Sequence, residues 1–171
     1  TVFEGVFVST DSGATWVAIN TGLTNLFIYS LAVDTTTPSR LYAGTDGGGV
    51  FRSTDSAATW AAATTGLASA LVLAVAVDPA SPETAYAGTQ GGGTFKSTDS
   101  GGTWLPTHPA TPDLDVNTFA IDLATPATLY AGSYQDWQVA QVFKSTNSGA
   151  TWAASDAGIT STGVLSLAID P

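Results

Sequence analysis

Few side chains in this sequence are equipped for chemistry, and most of them are acids. The 171 residues include one His, no Cys and no Met, which excludes thiol and disulfide chemistry and leaves His108 without a second imidazole for a metal site. His108 stands between Pro106 and Pro109 with no partner evident, so a structural role is the expectation. Fourteen acids face four fixed cations, Arg40, Arg52, Lys96 and Lys144, for a net charge of −10. Such a balance argues against a nucleic-acid partner, whose phosphates require clustered Lys and Arg. Tyr134, Asp136 and Trp137 combine two rings with a carboxylate in the stretch 133–141. That trio suits sugar stacking with hydrogen bonding, or a protein hot spot, against the plainer alternative of a loop packed on its neighbour. Phe27 and Tyr29 offer a second aromatic pair, in phase with Asp115 and Asn117 of a later segment. Asp113, Asp115 and Asn117 alternate along an extended stretch and carry oxygens of the kind Ca²⁺ takes. The EF-hand pattern is missing, however, so a solvated loop is the better reading and no cofactor is expected.

The elements that must position these residues are set by an octapeptide present four times: Ser9 to Trp16, Ser53 to Trp60, Ser97 to Trp104 and Ser145 to Trp152. The Trp residues recur at intervals of 44, 44 and 48, a period in the range of propeller blades. Each copy follows a short apolar run and leads into a Trp-headed segment, the pattern of strand, polar turn, strand. The Asp of the turn (Asp11, Asp55, Asp99) accepts backbone N–H bonds, and the Gly supplies a positive φ. Asn147 replaces Asp and keeps an acceptor; Ala57 replaces Gly, at a cost of about 1 kcal/mol where φ must be positive. Trp16, Trp60, Trp104 and Trp152 are expected to be buried at equivalent sites between or within blades.

The clearest unit runs from Leu31 to Leu67: strand A, an Asp34-led Thr/Pro turn, strand B at 41–44, a glycine turn, strand C at 50–52, the octapeptide, then strand D. Asp34, Asp78, Asp122 and Asp170 recur at the A–B turn and read as turn formers. The fold class is therefore all-β, a β-propeller of four-stranded antiparallel blades without helix. The expected division of the single domain is strands C and D of a split blade in 1–30, blades at 31–70, 71–115 and 116–162, and a final strand A in 163–171. The split blade lacks a strand B, so its strands A and C would stand about 10 Å apart, twice the usual spacing. Uncovered edges of that kind call for further chain, either more blades of the same polypeptide or a neighbouring copy in a ring or filament. The start at Thr1 suggests a processed chain or a piece of a longer one, and no signal-peptide or membrane-spanning run is present.

These octapeptides resemble the Asp-box, or BNR repeat, with its S/T-x-D-x-G-x-T-W pattern, found in sialidases, xyloglucan hydrolases, sortilin and Ycf48-type assembly factors. The resemblance covers essentially the whole chain and implies a propeller in which the box is a structural turn. It places ligands on the opposite face, at the B–C and D–A turns, where Phe27, Tyr29, Asp115, Tyr134, Asp136 and Trp137 fall. A sialidase would need three arginines and a nucleophilic Tyr, whereas two arginines are present, and Arg52 shares its position with Lys96 and Lys144, an outward-facing repeat feature. A xyloglucanase needs two carboxylates across a cleft, and Asp46, Asp115 and Asp136 are not paired by anything in the sequence. The expectation is a non-catalytic extracellular or cell-surface module of a bacterial protein, serving as scaffold, assembly or glycan- or protein-display unit. The alternative is part of an Asp-box glycoside hydrolase. A Ycf48-type role fits less well, since the basic patch of such factors is missing.

Overall fold

A computed structural model describes residues 3–107, 114–134 and 141–170. Among these, every regular element is a strand. Strands β1 (Phe7–Val8) and β2 (Val17–Ala18) form a two-stranded hairpin. Three antiparallel four-stranded sheets follow in chain order. The first comprises β3 (Ile28–Val33), β4 (Leu41–Thr45), β5 (Gly49–Ser53) and β6 (Ala61–Ala62). The second comprises β7 (Val72–Val77), β8 (Ala85–Thr89), β9 (Gly93–Ser97) and β10 (Leu105–Pro106). The third comprises β11 (Asp115–Ile121), β12 (Leu129–Tyr134), β13 (Val142–Ser145) and β14 (Ala153–Ala154). Each sheet is a simple meander, so its register is set by short local turns.

Strands β3, β7 and β11 lie side by side, and the sheets stack in order around them. Each carries a bulge, at Tyr29, Leu73 and Asn117. The bulge lets the strand run on into the preceding connection, so β3 opens at Ile28 and β11 at Asp115, earlier than the repeat boundaries 31 and 116 suggest. Close approach of neighbouring sheets requires a glycine on the second strand. A Cβ on Gly88 would lie 2.5 Å from Val116 O, and one on Gly44 would lie 2.9 Å from Val72 O.

The core sits between sheets rather than within one. One cluster joins Tyr42, Val50 and Ala63 of the first sheet to Val72, Ala85, Phe95 and Trp104 of the second. Another joins Val6 and Ile19 of the hairpin to Phe51 and Trp60. Trp60, Trp104 and Trp152 therefore insert against the unit before them. Trp60 Nε1 donates to Ile19 O and Trp104 Nε1 to Ala63 O, both at 2.8 Å, and Trp152 Nε1 reaches Thr107 Oγ1 at 3.3 Å. Trp60 and Trp104 are 4% and 1% exposed. Trp152 is half-buried, and Trp16 is 62% exposed, contrary to the equal burial expected for all four. The reason is the direction of packing: no unit of the described residues precedes Trp16.

The segment read from the sequence as a final strand A has no partner strand among the described residues. Residues 163–170 form no ladder. They are held at their start by a bridge between Gly163 and Tyr134 and by Val164 N–H donating to Ser133 O at 2.9 Å. The segment follows the course of an inner strand, with Val164 against Gly132 as Val116 is against Gly88, and among the described residues no strand shares its hydrogen bonds.

Candidate functional site

The octapeptide turns engage three of the fourteen acids, Asp11, Asp55 and Asp99. In the third copy Ser97 Oγ donates to Asp99 Oδ1 and accepts the Gly101 N–H, while Asp99 accepts the N–H and O–H of Thr103. The same network recurs at Asp11 and Asp55. Bonds from Thr15, Thr59 and Thr103 hold the three carboxyls well below the usual range, at about 2. At Asn147 the bond to the threonine is reversed: Nδ2 donates to Thr151 Oγ1, and Oδ1 accepts the Thr151 N–H. The fourth turn thus keeps its shape without a titrating group.

A pH dependence follows. In the unfolded chain these carboxyls protonate near pH 4, while in the folded chain they resist until about pH 2. Their contribution is fully present above the unfolded pKa and is lost as pH falls through the folded one. The chemical-denaturation midpoint should therefore fall steadily from pH 5 to pH 2, and the fall should be shallower in Asp99→Asn, which copies the Asn147 arrangement. A profile unaltered by that substitution would contradict the assignment.

The A–B turn acids are likewise engaged. Asp34 Oδ1 accepts from Thr36 and Thr37 N–H, with Arg40 at 3.6 Å from Oδ2; Asp78 and Asp122 accept the corresponding N–H pairs of their turns. Arg52 and Lys96 do not face outward as their repeat position suggests. Arg52 donates to Ser100 O at 2.6 Å, and Lys96 to Ser148 O at 2.7 Å, alongside Tyr86 Oη at 3.1 Å. Each therefore clasps the octapeptide of the next unit. Those acceptor carbonyls belong to serines in the left-handed region, φ 59° and 55°, which turn the carbonyls toward the preceding sheet. Burial pushes the Tyr86 hydroxyl well above its ordinary pKa, so it remains a donor.

The candidate ligand residues separate into two groups. Phe27, just before β3, and Tyr29, its bulged residue, come together with ring centroids 4.8 Å apart. Phe3, which sequence reasoning passed over, meets Phe27 edge-on at 4.7 Å and extends them into a three-ring strip. Phe3 is 68% and Tyr29 45% exposed. Asp46 sits at the same end, its N–H donating to Phe27 O at 3.0 Å, and Asn25 Nδ2 donates to Asp46 O. The second group is more dispersed. Asp115 Oδ1 accepts the Gly91 N–H at 2.7 Å and so pins the glycine turn of the preceding sheet. Asn117 is the bulged residue of β11 with its Nδ2 buried and lacking an acceptor. Tyr134 lies across Gly163, where an added Cβ would fall 2.6 Å from the ring. Asp136, Trp137, Asp113 and His108 lie outside the described residues. Among the described residues no three His, Cys, Asp or Glu side chains gather as a metal site, and no helix is long and apolar enough to cross a membrane.

Sheets of four antiparallel strands, stacked about their first strands, define β-propeller blades, three complete and one split. Solved structures share this architecture. A GH74 enzyme from Niastella koreensis matches with a TM-score of 0.72 and 20% identity, over 90% of this chain and 27% of that one. A Ycf48 protein bound to a D1 peptide matches with a TM-score of 0.55 and 15% identity, over 74% of this chain and 40% of its own. Ycf48 from Cyanidioschyzon merolae matches at 0.55 and 17%, over 74% of this chain and 39% of its own. The chain thus spans well under half the length of these proteins, and the likeness is one of fold. Neither protein-family models nor curated proteins give a match.

Proposed function

We propose that the chain is a non-catalytic Asp-box propeller module of an extracellular bacterial protein and that it displays a carbohydrate-binding surface. The observation that carries this reading is the exposed strip of Phe3, Phe27 and Tyr29. Exposed rings at a loop end of a rigid scaffold suit the apolar faces of sugars, and Asp46 and Asn25 beside them supply polar groups for hydroxyls. The acids of the octapeptide and A–B turns serve the backbone instead, which favours display over catalysis. The fold itself accommodates both an enzyme and a peptide-bound protein among its relatives, so function rests on the surface.

Tyr29→Ala is expected to weaken retention on an immobilised β-glucan or xyloglucan about two- to tenfold, since stacking on one ring contributes about 0.5–1.5 kcal/mol. Affinity electrophoresis against a polysaccharide panel checks this, with far-UV dichroism as the control for folding. An absence of retention by the parent chain on every polysaccharide would refute carbohydrate display and favour a protein ligand. Hydrolysis of xyloglucan by the 171-residue chain would overturn the non-catalytic reading in favour of a glycoside hydrolase segment.

A further inference from the structure

We propose that the two ends of the blade stack are complementary, and that the first hairpin of a second copy docks head to tail on the third sheet. The contact would continue the one already made between successive blades. At Trp60 and Trp104 that contact has the same set of bonds, while Trp152 donates to the Thr107 side chain instead. The Trp indole N–H donates to the carbonyl three residues after the preceding Trp, as Trp60 does to Ile19 and Trp104 to Ala63. The Trp backbone N–H donates to a carbonyl two residues further on, Thr21 for Trp60 and Thr65 for Trp104, both at 2.8 Å. The next residue is a glycine with φ +91°, and a Cβ on Gly22 or Gly66 would fall 2.1 or 2.2 Å from the Trp carbonyl oxygen.

The same receptor is built after the third sheet, and none of the described residues fills it. Ser155 and Ala157 occupy the two carbonyl positions, and Gly158 has φ +90° with nothing within 4 Å of an added Cβ. A left-handed glycine with free space above it matches Gly22 and Gly66 in all but their occupant. Beside it lies a cavity of about 420 Å³ lined by Tyr130, Val142, Ser155, Ile159, Leu167 and Ile169. These residues stand in phase with Tyr42, Val50, Ala63, Leu67, Val75 and Val77, which in the first two sheets enclose Phe95 and Trp104. The cavity is thus the place where a next Phe and Trp belong. Lys144 completes the receptor. Its counterparts Arg52 and Lys96 clasp the Ser carbonyl of the next octapeptide, and Lys144 Nζ is poised over the Tyr130 ring at 5.4 Å from its centroid, as Lys96 Nζ is over Tyr86 at 5.9 Å.

The matching plug is at the other end. Trp16 is exposed, Phe7 precedes it at the position of Phe95, and Gly13 has nothing within 4 Å of an added Cβ where Gly149 has the Tyr86 ring at 2.8 Å. Docking would bury Phe7 and Trp16 in the cavity, and Lys144 and Tyr130 would donate to Ser12 O. Plug and socket are different surfaces of one chain, so the contact is heterologous and either closes into a ring of copies or continues as an open array.

Sedimentation of the 171-residue chain tests this, at an ionic strength that screens repulsion between copies of charge −10. The weight-average mass should rise over roughly 1 to 100 µM, and Trp16→Ala should remain monomeric throughout. Leu167→Glu or Lys144→Glu, which alter the socket at exposed or half-buried positions, should weaken association at least tenfold. Trp16→Ala mixed with Leu167→Glu should give a one-to-one pair that does not extend, because one intact plug meets one intact socket. Unchanged dichroism and unfolding midpoints in these variants exclude misfolding as the cause. A parent chain that stays monomeric at 100 µM, or association indifferent to Trp16→Ala or to both socket variants, would overturn the proposal.

Discussion

Replacing Trp104 by alanine is expected to lower the unfolding free energy by about 3–5 kcal/mol, the range of large aromatic truncations in cores. Trp104 is 1% exposed and joins the cluster between the first and second sheets. The substitution opens a void between two sheets whose backbones are tied at Thr65 O, Gly66 and Ala63 O, so collapse around it is restricted. It also strips Ala63 O of its indole donor, adding about 1 kcal/mol. The informative comparison is Trp16→Ala, which changes the same residue of the same motif at a site 62% exposed. Its cost should stay within about 0.5 kcal/mol for the dilute monomer. Urea denaturation of the two variants at low micromolar concentration decides the matter. Equal losses would mean that the octapeptide Trp acts within its own hairpin rather than on the preceding blade.

Gly149→Ala is expected to cost about 2–4 kcal/mol, although it adds a single methyl group. Two penalties combine. Gly149 has φ +75°, where a Cβ costs about 1–2 kcal/mol. The new Cβ would also lie 2.8 Å from Tyr86 Cε1, and overpacking of this kind costs about 1–3 kcal/mol. Tyr86 cannot easily swing away, since it is fully buried and its hydroxyl is bonded to Ser148 O. The natural control is Ala57, which occupies the equivalent position with φ +66°. It carries the dihedral penalty alone, because the strand that would bring a Tyr over it has no counterpart in the first hairpin. Ala57→Gly should therefore change stability by no more than about 1 kcal/mol, the relieved backbone strain being offset by lost burial and a freer unfolded chain. Thermal unfolding of both variants checks the pair. A mild Gly149→Ala would mean that the Tyr86 contact can relax.

How far these features were legible depends on their range. The hairpins, their order and the acid-centred turns all came from the residues, because the bonds are local. Asp99 reaches Thr103, and Asp34 reaches Thr36 and Thr37, so the motif contains donor and acceptor together. The aromatic pair Phe27 and Tyr29 was visible for the same reason. Phe3 was not, because it joins the strip only when the hairpin packs against β3. The roles of Arg52 and Lys96 were misread as outward-facing because each ends on a main-chain carbonyl about fifty residues away, and a carbonyl leaves no trace in residue type. The candidates Asp113, Asp136 and Trp137 lie outside the described residues, so they stand as the sequence left them.

What the sequence by itself determined is therefore the repeat: an all-β chain, four copies of one turn, and an antiparallel meander between them, each specified by contacts within a few residues. The tertiary structure alone decided which copies are equivalent in fact. Trp60 and Trp104 are core residues and Trp16 is a surface residue, although their octapeptides are nearly identical. Residues 163–170 follow an inner strand's course without a ladder partner among the described residues. The physical reason is the same in both cases. A blade's large side chains and its inner strand are completed by the neighbouring unit, so an identical local sequence is buried where the described residues include that unit and open where they do not.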